Sequence, residues 1–218
     1  MNMEKKFELT DNFIINAFGG KLFQIKCTKS FKYAKEGDLG GYVEKDENLD
    51  QESDAWVSGD ARVSGDAWVS GDAWVYGNAE VSGDARVSGD ARVSGDAWVS
   101  GNAEVSGDAR VYGDARVYGD ARVSGNARVS GDARVYGDAE IDNNNKHCGF
   151  DCFGSANRHT HAYLTKENKV EITCGCFRGS IEEFEKRVEE THSGTIYEKQ
   201  YKAIIDVIKI KFGLTDLI

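Results

Sequence analysis

The chain has 218 residues, 40% hydrophobic and 29% charged, with 25 Gly, no Pro and a formal net charge of −10. That length allows one domain or two and a sizeable core, while the lack of any 18-residue apolar run argues against a membrane-spanning helix. The acid excess would repel a nucleic-acid backbone in bulk, so phosphate groups could be held only where arginines cluster.

The opening MNMEKKFELTDNF lacks the apolar stretch of a signal peptide. The five cysteines (Cys27, Cys148, Cys152, Cys174 and Cys176) are odd in number and lie outside the periodic region, which suits reduced thiols. Both features point to a cytoplasmic protein. Residues 1–53 read as an N-terminal cap, in which KLFQIKCTKSF alternates apolar and polar residues as a strand does. GDLGGYVEKDENLDQES is rich in turn residues, with Val43 and Leu49 as candidate core. Some cap is required, because a stack of strands left open exposes edges that pair end to end.

From residue 54 to 142 the chain repeats V-[SY]-G-[DN]-A-[WRE]. Val recurs every six residues from Val57 to Val135 and Ile141 follows, so fifteen hexads run without an insertion. Side chains alternate along a strand, so Val and the Ala four residues later face the same way. That way must be inward: one hexad cannot bury its own Val and has to stack on copies of itself. Gly with the following Asp or Asn is expected to turn each corner, both residue types tolerating positive φ. Three strands and three corners make an 18-residue triangular coil, and five such coils would stand about 24 Å tall.

Residues 18 apart then stack vertically, and the outward residue before each Val falls into three columns. The first is Trp56, Trp74, Arg92, Arg110, Arg128; the second is Arg62, Glu80, Trp98, Arg116, Arg134; the third is Trp68, Arg86, Glu104, Arg122, Glu140. The third alternates in sign and reads as structural. The first sets three arginines about 4.8 Å apart, which is unfavourable unless corner aspartates, solvent or a bound anion intervene. Outward aromatics such as Trp56, Trp74, Tyr76, Tyr112, Tyr118 and Tyr136 offer a surface for self-association.

From residue 143 to 218 the period is lost. HAYLTKENKVEITCGCF reads as a β-hairpin with a Lys-Glu-Asn turn, SIEEFEKRVEETH as a helix with Ser180 and Glu183 in capping-box spacing, and YEKQYKAIIDVIKIKF as a second amphipathic helix. A small α+β module is expected.

The hexads resemble those of the hexapeptide-repeat, left-handed parallel β-helix family. Ser or Tyr after the aliphatic residue departs from that family's usual Gly or acid. More narrowly, GDLGGYVE…NL before the repeat and CGCFRG…EEFE…V…TH…Y after it resemble a group of phage and prophage hexapeptide proteins. The resemblance implies the left-handed coil, a mostly β fold and a phage setting in a host cytoplasm, with homo-oligomers, trimers above all, as the usual assembly.

Three chemistries come into question for this chain. Acyl transfer, common among left-handed β-helix enzymes, uses a His within the coils and an inserted loop; residues 54–142 contain neither. Cys148-x3-Cys152, His159-x-His161 and Cys174-x-Cys176 could bind zinc, but the spacings match no finger or ribbon. TCGCFRGS, running from a strand into a capped helix, could aim amides and Arg178 at a phosphate. GSANRHTH would add Ser155, Asn157, Arg158, Thr160 and His161 across the hairpin.

No nucleophile pairs with a base and an orienting group, so no catalysis and no cofactor are expected. The leading expectation is a binding protein that sequesters a small anionic ligand, a nucleotide signal of host antiviral defence being the biological candidate. Its contacts would be Arg158, Thr160, His161, Arg178 and Ser180 in the C-terminal part and Arg92, Arg110 and Arg128 on the rod. The alternative is an interaction scaffold presenting a repetitive face to a protein partner or to another copy.

Overall fold

The computed structural model describes residues 5–214. Strands β1 (Phe7–Ile15) and β2 (Lys21–Cys27) form an antiparallel hairpin, and β3 (Leu39–Val43) pairs with β2 antiparallel. On its other edge β3 turns parallel, Tyr42 opposite Arg62 and Val43 opposite Val63, so the cap's sheet runs straight into the rod.

The sequence of this junction is dictated by close approach. A Cβ on Gly40 would lie 2.5 Å from Ile25 Cγ1 and 2.7 Å from the Val57 carbonyl, and one on Gly41 would lie 2.6 Å from the Ala61 carbonyl. The Asn48 amide, fully buried, donates to the carbonyls of Gly65 (3.0 Å) and Ala67 (2.8 Å) and accepts from the amides of Glu44 and Lys45. Leu49 then bridges Val69 in parallel. GDLGGYVE…NL thus lays down a rung before the hexads begin. Lys6 closes the same end, its ammonium donating to the carbonyls of Ser53 (2.6 Å) and Ala55 (2.8 Å), and burial pulls its pKa down to about 8.

In the rod, fifteen two-residue strands β4 to β18, from Trp56–Val57 to Glu140–Ile141, each consist of a variable residue and the aliphatic residue after it. They stack as three parallel sheets whose neighbours are 18 residues apart, for example Arg92 with Arg110 and Val93 with Val111. With the lead-in rung the solenoid makes about six turns. Every Val and Ala of the hexads is at most 2% exposed, so the interior is one column of alternating large and small side chains. Rungs are tied by main-chain bonds such as Arg92 N–H to the Ala109 carbonyl and Ser94 N–H to the Val111 carbonyl, both 2.9 Å.

The corners correct one expectation. Glycine alone adopts positive φ there, between +57° and +78° from Gly59 to Gly137, and no corner Asp or Asn does. Glycine is required twice over, because its missing Cβ leaves room for the rung above: a Cβ on Gly89 would lie 2.9 Å from the Gly107 nitrogen. The Asp and Asn residues instead form outer ladders. Asn78 donates to Asp96 and Asn102 to Asp120, both at 2.9 Å, so an amide within a ladder bonds to the like-stacked acid above it.

The aromatic surface is also smaller than expected. Trp56 is 2% exposed beneath the Phe31 ring, and Trp74 is half-buried beneath Tyr33, so the cap covers both. Tyr118 and Tyr136 pack edge to face on each other at 3.9 Å. In the third column Arg122 pairs with Glu104 at 3.4 Å, as the sign alternation predicts.

After the rod, β19 (His147–Phe153), β20 (Arg158–Leu164), β21 (Val170–Cys174) and β22 (Phe177–Gly179) form an antiparallel sheet in that order. Helices α1 (Ile181–His192) and α2 (Ile196–Lys211) pack on it around Ile172, Phe184, Tyr201, Ile205 and Ile208. Among the described residues no helix is long and apolar enough to cross a membrane. The sheet's other face seals the rod. Tyr163 is fully buried in the rod's own core, its hydroxyl accepting from the Tyr136 amide and donating to Glu171, while Thr173 donates to the Arg134 carbonyl at 3.1 Å.

Candidate functional site

The arginines that stacking brings together fall into two groups on different faces. One surrounds a hollow of about 470 Å³ between the last rungs and the C-terminal sheet. Arg116 and Arg134 enter it from successive rungs of the second column, and Arg158 enters from the start of β20; Asp114, Asp132 and His159 line it as well. Local structure fixes each guanidinium. Arg134 donates to the Gly175 carbonyl at 2.8 Å, and Arg116 lies 5.7 Å from the Trp98 ring centre. Arg158 lies across the β21–β22 turn, where a Cβ on Gly175 would come within 2.5 Å of its Nη1, so glycine is needed for this approach as well as for its φ of +60°.

Among the described residues none of these three arginines has a carboxylate within 4 Å. Two acids against three guanidiniums leave the hollow cationic although the chain as a whole is acidic. Beside it, His159 holds Asp151 through Nδ1 at 2.5 Å, and its Nε2 is buried with no hydrogen-bond partner. A cationic, polar-lined recess that stays open to solvent can bind an anion by charge-assisted hydrogen bonds, each contributing about 1.5–3 kcal/mol.

The second group is the first column. Arg92, Arg110 and Arg128 stand in direct register and share a shallow groove of about 240 Å³ with Tyr76, Ser94 and Tyr112. None of the three has an ion-pair partner among the described residues, so the corner aspartates do not neutralise them.

Most of the remaining residues singled out in the C-terminal part join neither group. Thr160 is fully buried and donates to Cys174 Sγ at 3.3 Å. His161 is 1% exposed, with Nε2 3.0 Å from His147 Nδ1. Burial, helped by the neighbouring imidazoles, holds the His161 pKa down to about 3, and burial with the nearby Lys211 charge holds that of His147 down to about 4. His161 lies on the face of β20 that seals the rod, its Nδ1 3.5 Å from the Arg134 carbonyl, whereas Thr160, next to it in the strand, faces Cys174 on the helix side, because alternation turns successive residues to opposite faces.

Arg178 is held by Glu171 through two bonds, at 2.6 and 3.1 Å, and lies over Tyr136, away from Arg158. Ser180 caps α1 as expected, but Glu183 returns to the Ser180 amide at 2.8 Å and Glu182 takes the Ser180 hydroxyl. The start of α1 is therefore filled by its own carboxylates and offers no phosphate site. Ser155 lines neither arginine hollow, whereas Asn157 lines that of Arg158.

The thiols are dispersed. Cys174 is buried against the Tyr201 hydroxyl, Cys148 has its pKa pushed up to about 11 by burial, and Cys152 and Cys176 are exposed. Among the described residues no three metal-ligating side chains converge.

Sequence reasoning missed Arg116, Arg134 and His159 as site residues. The signal was present in part: Arg116 and Arg134 end the second column, and so lie close to whatever follows residue 142.

The fold and the repeat define the chain as a parallel β-solenoid repeat protein. Within it, residues 55–71, 85–101, 103–119, 109–125, 115–131 and 127–139 match the YdcK Beta solenoid repeat family, a match confined to the rod. No curated protein matches the chain.

Proposed function

We propose that the chain is a non-enzymatic binding protein that holds a small anionic ligand, a nucleotide being the leading class, in the hollow of Arg116, Arg134 and Arg158. One observation carries the reading. Three guanidiniums from three separate strands line one solvent-connected recess with no ion-pair partner among the described residues, in a chain whose acids outnumber its bases 37 to 27. Asp114 and Asp132, which line the same recess two residues before Arg116 and Arg134, suit a ligand that carries a hydrogen-bond-donating edge as well as its anionic group, as a nucleobase does. In this reading the rod is the left-handed hexapeptide type, the resemblance of the lead-in and terminal motifs to those of phage and prophage proteins supports a phage setting, and the ligand is a host signal removed by sequestration in the cytoplasm.

A thermal-shift screen of mono-, di- and cyclic nucleotides against the wild type, Arg158→Ala and Arg178→Ala tests this. The wild type and Arg178→Ala should be stabilised by the same nucleotide, and Arg158→Ala should lose the shift. No shift for any nucleotide, or an equal shift in Arg158→Ala, overturns the reading.

A further inference from the structure

The anion hollow has a neighbour. A second recess, of about 160 Å³, lies between the β21–β22 turn and the two helices. Gly175 lines the first hollow while Cys174 and Cys176 line the second, so the turn is the wall between them, and Arg158, lying across it, borders both. The two differ in chemistry. The first is polar, with Asp114 and Asp132 among its arginines, whereas no carboxylate lines the second among the described residues. Phe177, Phe184 and Tyr201 give the second an aromatic floor, successive rings lying 5.0 and 5.6 Å apart, and Arg187 joins Arg158 as its cations. Tyr201, 5% exposed, sets its hydroxyl 3.8 Å from the Cys174 thiol, a weak acceptor, and so keeps a donor for a stronger one.

Size and order select the occupant. At about 30 Å³ per water in the liquid, the second recess has room for about five waters, which suits a single ring system and is too little for a whole nucleotide. An aromatic ring meets walls of this kind by stacking and edge-to-face contact. The anion attached to that ring then belongs at the shared rim, on Arg158. A mononucleotide fills one side of the turn and leaves the other empty. Two nucleosides joined by a phosphate fill both, one base beside the aspartates and the other on the aromatic floor.

We propose that the occupant of the hollow is a dinucleotide, its linking phosphate on Arg158 and its second base in the recess of Phe177, Phe184 and Tyr201. The proposal rests on the preceding reading of the hollow as a nucleotide site and narrows that nucleotide to two linked nucleosides.

Isothermal titration of the linear dinucleotides pApA, pGpG, pCpC and pUpU, and of the matching monophosphates, into the wild type, Thr191→Trp and Arg158→Ala tests it. Thr191 is an exposed residue of α1 bordering the second recess and absent from the first hollow, so an indole there obstructs the one and spares the other. At least one dinucleotide should bind the wild type about tenfold or more tighter than its monophosphate, the effect that one base on an aromatic wall supplies. In Thr191→Trp that dinucleotide should fall to the affinity of the monophosphate, whose own binding persists and shows that the variant is folded. Arg158→Ala should weaken both. Equal affinities of dinucleotide and monophosphate in the wild type, or a preference that survives in Thr191→Trp, overturns the dinucleotide while leaving a nucleotide in the hollow. Binding of none of the eight probes to the wild type overturns both readings.

Discussion

Replacing Gly89 by alanine should cost far more than replacing Gly131, although both glycines sit at rod corners with nearly the same φ, +67° and +62°. Placing an L-residue in the left-handed region costs about 1–2 kcal/mol, partly offset by the alanine chain's lower unfolded-state entropy. Gly131 bears only that cost, because nothing lies within 4 Å of its added Cβ. At Gly89 the Cβ meets the Gly107 nitrogen at 2.9 Å and its Cα at 3.2 Å, backbone atoms that can retreat only by stretching the rung-to-rung bonds. Forced overpacking of this kind adds about 1–3 kcal/mol. Urea denaturation followed by circular dichroism, at unchanged m, should therefore place Gly89→Ala about 1–3 kcal/mol below Gly131→Ala. Asp90→Ala and Asp132→Ala, at neighbouring exposed corner positions, calibrate how strongly each location reports. Equal losses at the two glycines would refute the idea that corner glycines are fixed by contact between rungs.

Asn48→Ala should destabilise the chain by about 3 kcal/mol or more, since a fully buried amide is lost and the Gly65 and Ala67 carbonyls and the Lys45 amide lose its hydrogen bonds, while the Glu44 amide keeps its bond to the Val63 carbonyl; a loss under about 1 kcal/mol in the same urea assay would show that the lead-in rung is dispensable. Acid should loosen the seal between sheet and rod. His147 is held neutral in the folded chain down to about pH 4, while its unfolded form takes up a proton near 6.5. The unfolded state therefore binds more protons in that window. Stability should be complete above pH 6.5 and fall as pH drops toward 4, by about 3 kcal/mol for this group. The slope of stability between pH 7 and 5 should flatten in His147→Gln, and an unchanged slope would assign it elsewhere.

The rod was legible because one physical requirement repeats fifteen times. Burial of Val57 and its successors fixes inside from outside, and the period fixes which residues are vertical neighbours, so Arg92 and Arg110 could be paired on paper. The corner was misjudged for Asp and Asn, because tolerance of positive φ is permission rather than necessity, and the glycine beside them already satisfies it. The C-terminal part was legible in its elements: the Ser180–Glu183 cap, the hairpin and the two amphipathic helices all form.

Its site was not legible. Thr160 and His161 lie in a strand whose inward face depends on what it docks against, and no local pattern states that the rod's open end is the partner. Arg178 and Ser180 looked available because their satisfying groups, Glu171 and Glu182 with Glu183, are ordinary acidic residues whose directions are set only by the fold. Arg116 and Arg134 were placed in the right column but gained a role only when the C-terminal sheet brought Arg158 beside them.

The most direct test of ligand capture is a native mass spectrum of the protein with the nucleotide selected by thermal shift. The wild type and Arg92→Ala/Arg110→Ala should each carry one nucleotide per chain, and Arg134→Ala/Arg158→Ala should carry none. Retention of the adduct by Arg134→Ala/Arg158→Ala, or its loss from Arg92→Ala/Arg110→Ala alone, would place binding on the ladder and contradict the assignment to the hollow.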